Sequence, residues 1–360
     1  MRNSERSSAM ANRLKGMDLL ATSDWAKTDL DQALDLAFKF KQMGVASRYL
    51  DILRGKTLLL LFFRPSTRTR ISFTAAMQQL GGFVQCPDPA DLRLSLGEEP
   101  GAGESLKDTA RVVERYVDAV AIRVGGPIPD TNGVPGPGLG DAIMRKFADY
   151  TEVPVINLGS DQHHPTQGLA DIMVMKESLG DITGKKIVVM WAYSPLLRNL
   201  VSPQTDILIS ATYGMDVSVV YPEGYDLDPS VMSLAQKECA NAGGKLEISH
   251  DLKSALKGAD VVFPRNWWSP RYYTNTKDEE LRLAAQHTDW RLTESLLGST
   301  NNARFIHVMP FDRGNEVDDS VADGPNSVVY DQAENLLHVR KALLALLVAE
   351  SSSLETIWKH

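Results

Sequence analysis

The sequence predicts an α/β protein built from two doubly wound, parallel-sheet domains. Three observations carry this. The chain has 360 residues, roughly twice the length of a common single domain. Residues 57–63, TLLLLFF, are continuously apolar, as in a strand covered on both faces. Strand-length apolar runs then alternate with helix-period segments, the pattern of parallel sheets wrapped by helices.

Taken in order, the strand at 57–63 runs into Pro65, which cannot continue a central strand. Ser66 is a natural N-cap for a helix reaching Leu80, closed by Gly81-Gly82. A helix over 106–117 precedes a strand at 119–123 (AVAIR). The Pro/Gly-rich stretch 125–140 is a loop, because periodic segments resume on both sides. A strand at 153–158 leads to Pro165, which opens another helix. Further strands are expected at 186–191, 216–221, 259–263 and 304–308, with a loop at 194–203 and a helix at 229–242 capped by Gly243-Gly244. The last helix, 333–349, carries the apolar stripe Leu336, Val339, Leu343, Leu346 and Leu347, so it packs on a core and returns to the first domain. The expected domains are therefore 1–165, joined by the helix at 333–350, and 166–332. Loops at the C-terminal strand ends share one edge of such sheets, where ligands bind.

The composition is that of an ordinary globular protein: 43% hydrophobic, 23% charged. With 38 basic and 46 acidic residues the net charge is −8, which argues against nucleic acid as a partner. No apolar run approaches the roughly 18 residues of a membrane span. Residues 1–17 are polar and read as a frayed tail rather than a signal peptide. Cys86 and Cys239 form neither a disulfide framework nor a zinc motif, which suits a reducing cytoplasm. No metal or organic cofactor is expected.

Four segments carry candidate chemistry. In FFRPSTRTRISF, residues 62–73, a helix N-terminus coincides with the donors of Ser66, Thr67, Arg68 and Thr69. Unpaired backbone N–H groups and the guanidinium fork make this an anion site. Arg70 is read as an ion-pair partner of a neighbouring element. In DQHHPTQGLAD, His164 and Gln167 stand three apart at a helix start, able to meet at one spot and donate to a carbonyl oxygen; His163 is read as structural. Arg123 closes an apolar strand and is either a site residue or a rim arginine. In HVMPFDRGNEV, Pro310 pushes Met309 to an extended conformation, so that the carbonyls of Val308 and Met309 face the edge crevice and hold an attacking amine.

On these segments the chain resembles the aspartate/ornithine carbamoyltransferase superfamily. Ser66-Thr67-Arg68-Thr69-Arg70 is similar to its carbamoyl-phosphate signature, and His164-Pro165-Thr166-Gln167 with Leu169-Ala170-Asp171 to its second signature. Gly103-Glu104-Ser105 and Asp108-Thr109-Ala110-Arg111 resemble the helix before the arginine strand. His307 to Pro310 stands where relatives read H-C-L-P or H-P-L-P. Trp191-Ala192-Tyr193-Ser194-Pro195 resembles the proline-containing loop of the knotted branch, which includes N-acetylornithine and N-succinylornithine enzymes. The resemblance implies a threaded loop in the second domain, a cleft between two domains, and a homotrimer with shared active sites. It also implies roles: Ser66, Thr67, Arg68 and Thr69 on the phosphate; Thr69, Arg123 and His164 on the carbamoyl carbonyl; Gln167 on its amide; and Met309 among the carbamoyl-phosphate contacts.

The acceptor side departs from the family pattern. Val308 replaces the Cys or Pro of the H-x-x-P motif, and Asn326 and Leu336 stand where a late arginine is expected, leaving Arg313 to compensate. Glu98 and Glu99 disfavour a dianionic acceptor. The S-M-G segment of ornithine enzymes is absent; Arg265 and Trp267 look like counterparts of a Lys-Ser-Trp in N-acetylornithine enzymes, Arg265 being either a carboxylate partner or a rim arginine. Asn199 matches an asparagine that contacts the amino-acid substrate in relatives. The reading is a carbamoyltransferase acting on ornithine, an N-acylated ornithine, another diamino acid, aspartate or oxamate. The alternatives are a catalytically silent carbamoyl-phosphate binder and a nicotinamide dehydrogenase, the latter lacking its G-x-G-x-x-G turn.

Overall fold

The computed structural model describes residues 13–88, 91–94, 103–125 and 138–359. Glu98, Glu99, residues 1–12 of the polar tail and 126–137 of the Pro/Gly loop lie outside the described residues. The chain divides into two compact units. The first runs to Thr166 and resumes at Asn335; the second holds Gln167–Glu334.

The first unit opens with helix α1 (Lys27–Gln42), followed by strand β1 (Thr57–Phe62) and helix α2 (Thr67–Gln79). Strand β2 (Phe83–Gln85), helix α3 (Leu106–Val113), strand β3 (Ala119–Arg123), helix α4 (Leu139–Asp149) and strand β4 (Val155–Asn157) follow. The sheet is parallel, in the order β2-β1-β3-β4. Leu59, Leu61, Val120, Ile122, Met144 and Phe147 form a core beneath it. Helix α5 (Pro165–Leu179) begins in this unit and continues into the second.

In the second unit, strand β5 (Lys186–Trp191), helix α6 (Val201–Thr212), strand β6 (Asp216–Val220), helix α7 (Pro229–Ala242), strand β7 (Leu246–Ser249), strand β8 (Val261–Arg265) and strand β9 (Arg304–Phe305) build a parallel sheet in the order β7-β6-β5-β8-β9. Gly243 ends α7 at φ 82, the left-handed cap that glycine adopts without a Cβ clash. Helix α8 (Val329–Val348) carries the chain back into the first unit, where α9 (Ser351–Lys359) follows. The stripe from Leu336 to Leu347 is buried.

Several bounds differ from the sequence expectation. The helix expected over 106–117 stops at Val113, where a turn brings Asp118 N–H to the Thr57 carbonyl at 2.8 Å. β8 extends through Pro264 to Arg265. This is tolerated because β9 pairs only with Val261 and Val262, leaving Pro264 beyond that ladder. β9 ends at Phe305 rather than Val308, because His307 N–H turns to the Gln332 side chain instead of the sheet. No helix among the described residues is long and apolar enough to cross a membrane.

Candidate active site

In the first unit, strand order reverses between β1 and β3, with Phe62 opposite Arg123 in register. Ligands favour such a switch point at the C-terminal strand ends. The chain leaves β1, turns at Pro65 and enters α2. Ser66 holds the N-cap position in an extended conformation, but its hydroxyl accepts no cap bond. Arg70 N–H donates to the Ser66 carbonyl at 3.2 Å, the first bond of the helix. Thr69 is buried, Ser66 and Arg68 half-buried, and Thr67 exposed. Among the described residues Arg70 has no ion-pair partner; its guanidinium lies over the Phe62 ring at 5.1 Å.

Arg123 Nη1 donates to the Leu158 carbonyl at 2.7 Å, reaching across the end of β4. Gly159, at φ +123, is what permits this: a Cβ there would stand 2.8 Å from Arg123 Nη1 and 3.5 Å from His164 Cδ2. Arg123 and His164 therefore pack against one stretch of bare backbone. Asn157 fixes that turn, its Nδ2 donating to the Leu20 carbonyl at 2.7 Å and its Oδ1 accepting Gly159 N–H at 2.7 Å. His164 is buried, and burial, then Arg123 and Arg340, hold its pKa well below the ordinary value. It is a neutral imidazole at neutral pH.

Sequence reasoning missed Arg340. It is fully buried, lies over the Phe73 ring at 4.7 Å and bonds Ser72 Oγ through Nη1. Its Nε and Nη2 have no hydrogen-bond partner among the described residues. Burial, then Arg123 and Arg68, bring its pKa down to about 9. A buried cation facing two further cations calls for an anion. The signal was present in the sequence: Arg340 follows Leu336 by four residues, one helical turn, on the same face of α8.

In the second unit the order reverses at β5, with the loops after β5 and β8 on its two sides. Asn266 clasps them: its Nδ2 donates to the Ala192 carbonyl at 3.1 Å and its Oδ1 accepts Arg198 N–H at 3.2 Å. Arg265 is buried at the end of β8, its Nη1 donating to the Pro310 carbonyl at 3.0 Å. Val308 and Met309 are half-buried, and Asn199 is half-buried just before α6. Three expectations are corrected here. Met309 is not extended: it has φ 52 before a cis bond to Pro310, and its N–H donates to His307 Nδ1 at 2.8 Å, which turns the backbone locally. Trp267 is enclosed in the core, its indole N–H donating to the Tyr225 carbonyl at 2.9 Å. Arg313 is committed to acids of its own unit, Asp323 and Asp319, each at 2.7 Å.

His307 and Glu316 form a buried pair, Nε2 to Oε2 at 3.8 Å. Because Nδ1 accepts from Met309, the neutral ring carries its proton on Nε2. Burial holds the His307 pKa down to about 4. Burial alone would raise Glu316, but His307, Arg265 and the Asn266 N–H bring it to about 2. A histidine whose folded pKa lies below its unfolded value of 6.5 binds its proton more readily when unfolded, so stability is full above 6.5 and falls as pH drops toward 4. Acid melts should therefore show a decline across that window of on the order of 3 kcal/mol, flattened in His307→Asn; an unchanged slope in the variant contradicts this.

Residues 17–177 match the family model "Aspartate/ornithine carbamoyltransferase, carbamoyl-P binding domain", and residues 198–347 match "Aspartate/ornithine carbamoyltransferase, Asp/Orn binding domain". The chain belongs to the aspartate/ornithine carbamoyltransferase family. Within this carbamoyltransferase family it is similar to the N-acetylornithine carbamoyltransferase of Xanthomonas campestris, 36% identical over 341 residues, covering 92% of this chain and 98% of the relative. It is also similar to the ornithine carbamoyltransferase of Pyrococcus horikoshii, 37% identical over 339 residues, covering 94% and 98%. A crystal structure of acetylornithine transcarbamylase complexed with acetylcitrulline superposes with a TM-score of 0.85 at 34% identity, covering 92% of this chain and 99% of the other.

Proposed function

We propose that the protein transfers the carbamoyl group of carbamoyl phosphate to the side-chain amine of ornithine or an N-acylated ornithine, releasing phosphate. The observation that carries this reading is the cationic cluster of Arg68, Arg123 and Arg340 beside the N-terminus of α2, with a neutral His164 against Arg123. Ser66, Thr67, Arg68 and Thr69 take the phosphate at the helix N-terminus, and Arg340 supplies a further guanidinium. Thr69, Arg123 and His164 donate to the carbamoyl oxygen.

The neutral amine attacks the carbonyl carbon, and the oxygen gains charge where those donors point. The C–O bond to phosphate then breaks. Phosphate leaves with the bonding electrons and takes the amine proton. The second unit, which matches the Asp/Orn-binding model, supplies the acceptor contacts: Asn199, Arg265 and the carbonyls of Val308 and Met309. Trp267 and Arg313, engaged elsewhere, are not among them. Relatives named for ornithine and for N-acetylornithine both support an acceptor that carries a carboxylate. Exposed Tyr49, Ile71, Phe83 and Tyr116 support self-association of the first unit, proposed as a homotrimer and read by sedimentation.

Labelled carbamoyl phosphate offered to ornithine, N-acetylornithine, N-succinylornithine, diaminopropionate, aspartate, putrescine and oxamate tests the reading. One ornithine-type acceptor should dominate, with putrescine, which lacks the carboxylate, unreactive. Preference for aspartate or putrescine would overturn the acceptor class.

A further inference from the structure

Asp171 lies on α5 four residues beyond Gln167, on the same helix face. It is fully buried. Gln167 Nε2 donates to its Oδ1 at 2.8 Å, and Gln332 Nε2 donates to the same oxygen at 2.5 Å. An ionised carboxylate only accepts, so both glutamines must turn their NH2 groups toward it and their oxygens away. The far end of Gln332 agrees: its Oε1 accepts His307 N–H at 2.8 Å, and His307 in turn holds Met309.

A second buried carboxyl, Asp206 of α6, faces Asp171. Close packing of the two helices depends on Gly168, where a Cβ would stand 2.9 Å from Thr205 Cγ2. Burial, then the charge of Asp171, pushes the Asp206 carboxyl well above its ordinary range. Burial raises Asp171 less, because Gln332 and Gln167 donate to it, so Asp206 is the more readily protonated of the two and Asp171 the more readily ionised. A hydrogen-bonded chain thus runs within the second unit from Gln167 through Asp171 and Gln332 to the His307–Met309 turn.

We propose that Asp171 is a positioning residue: it locks the Gln167 amide with its oxygen turned out to accept from the carbamoyl NH2, and ties that orientation through Gln332 to the turn at Met309. This rests on the reading of Gln167 as a contact of the carbamoyl group.

The test is a double-mutant cycle on the full-length protein, with kcat, the KM for carbamoyl phosphate and the melting temperature measured for each form. Gln167→Ala and Asp171→Asn should each lower kcat by roughly 100-fold, the scale of a misplaced contact, and the double variant should be no slower than the slower single. Losses that multiply, in variants that melt like the wild type, would overturn the role of Asp171 and leave that of Gln167 intact. A fully active Gln167→Ala would overturn both. A polarity swap gives a second reading should Asp171→Asn fold poorly. Gln167→Glu alone sets two carboxylates face to face, and adding Asp171→Asn should recover about tenfold or more of the lost kcat, the worth of one charge-assisted hydrogen bond. Absence of that rescue would also overturn the proposal.

Discussion

Replacing Arg340 with methionine should raise the melting temperature of the ligand-free protein and cut its further rise on adding phosphate by half or more. Arg340 is fully buried, and the charges of Arg123 and Arg68 act against its own. A base whose folded pKa falls to about 9 from 12.5 destabilises the folded state throughout the pH range below 9. An apolar side chain of similar length removes that penalty, a gain of on the order of 1–4 kcal/mol. In the wild type a bound anion relieves it instead, so phosphate at about a hundred times its Kd adds nearly 3 kcal/mol. Losing charged hydrogen bonds should weaken phosphate binding by roughly 10- to 100-fold. Differential scanning calorimetry at neutral pH, with and without phosphate, measures both effects. A lower melting point with an intact phosphate response would make Arg340 a packing residue of Ser72 and Phe73.

His164→Ala is expected to lower kcat by about 10²–10³-fold, the usual effect of removing one donor to a developing oxyanion. The KM for carbamoyl phosphate should change little, because the phosphate contacts come from Ser66, the first turn of α2 and Arg340. His164→Asn should retain more activity than His164→Ala, since it keeps an N–H donor. The pH profile separates a neutral donor from an acid catalyst. With its pKa held well below the ordinary value by burial, then by Arg123 and Arg340, His164 stays neutral at neutral pH and above. From neutral pH the rate should then follow deprotonation of the acceptor amine, rising with unit slope until Arg340 loses its charge at about 9. A wild-type inflection near 6.5 that disappears in His164→Asn would show that the imidazole titrates during catalysis.

The parts legible in the sequence were those fixed by local chemistry. The run at 57–63, Pro65 before a helix, and Pro165 opening another were readable because each depends on neighbouring residues alone. β2 and β7 were not: they are short edge strands of mixed polarity, held by parallel pairing to β1 and β6. Arg340 was hidden for a different reason. Its role depends on a long helix bringing it to Arg123 and Arg68, more than two hundred residues away in the chain. Met309 misled because its N–H has a partner in His307 Nδ1, a contact that outweighs the usual bias of a residue before proline. Arg313 misled because Asp319 and Asp323, which hold it, follow within ten residues and read as an ordinary acidic surface.

The proposed transfer of the carbamoyl group is direct and needs the cationic cluster of the first unit. The most direct measurement is phosphate release from carbamoyl phosphate, followed together with carbamoylated product, with and without ornithine or N-acetylornithine, in the wild type and in Arg68→Ala. One phosphate per product is expected, with release only when the amine is present and loss of both in the variant. Carbamoyl-phosphate binding without amine-dependent release would contradict it and leave a silent binding protein; release without product would replace transfer by hydrolysis.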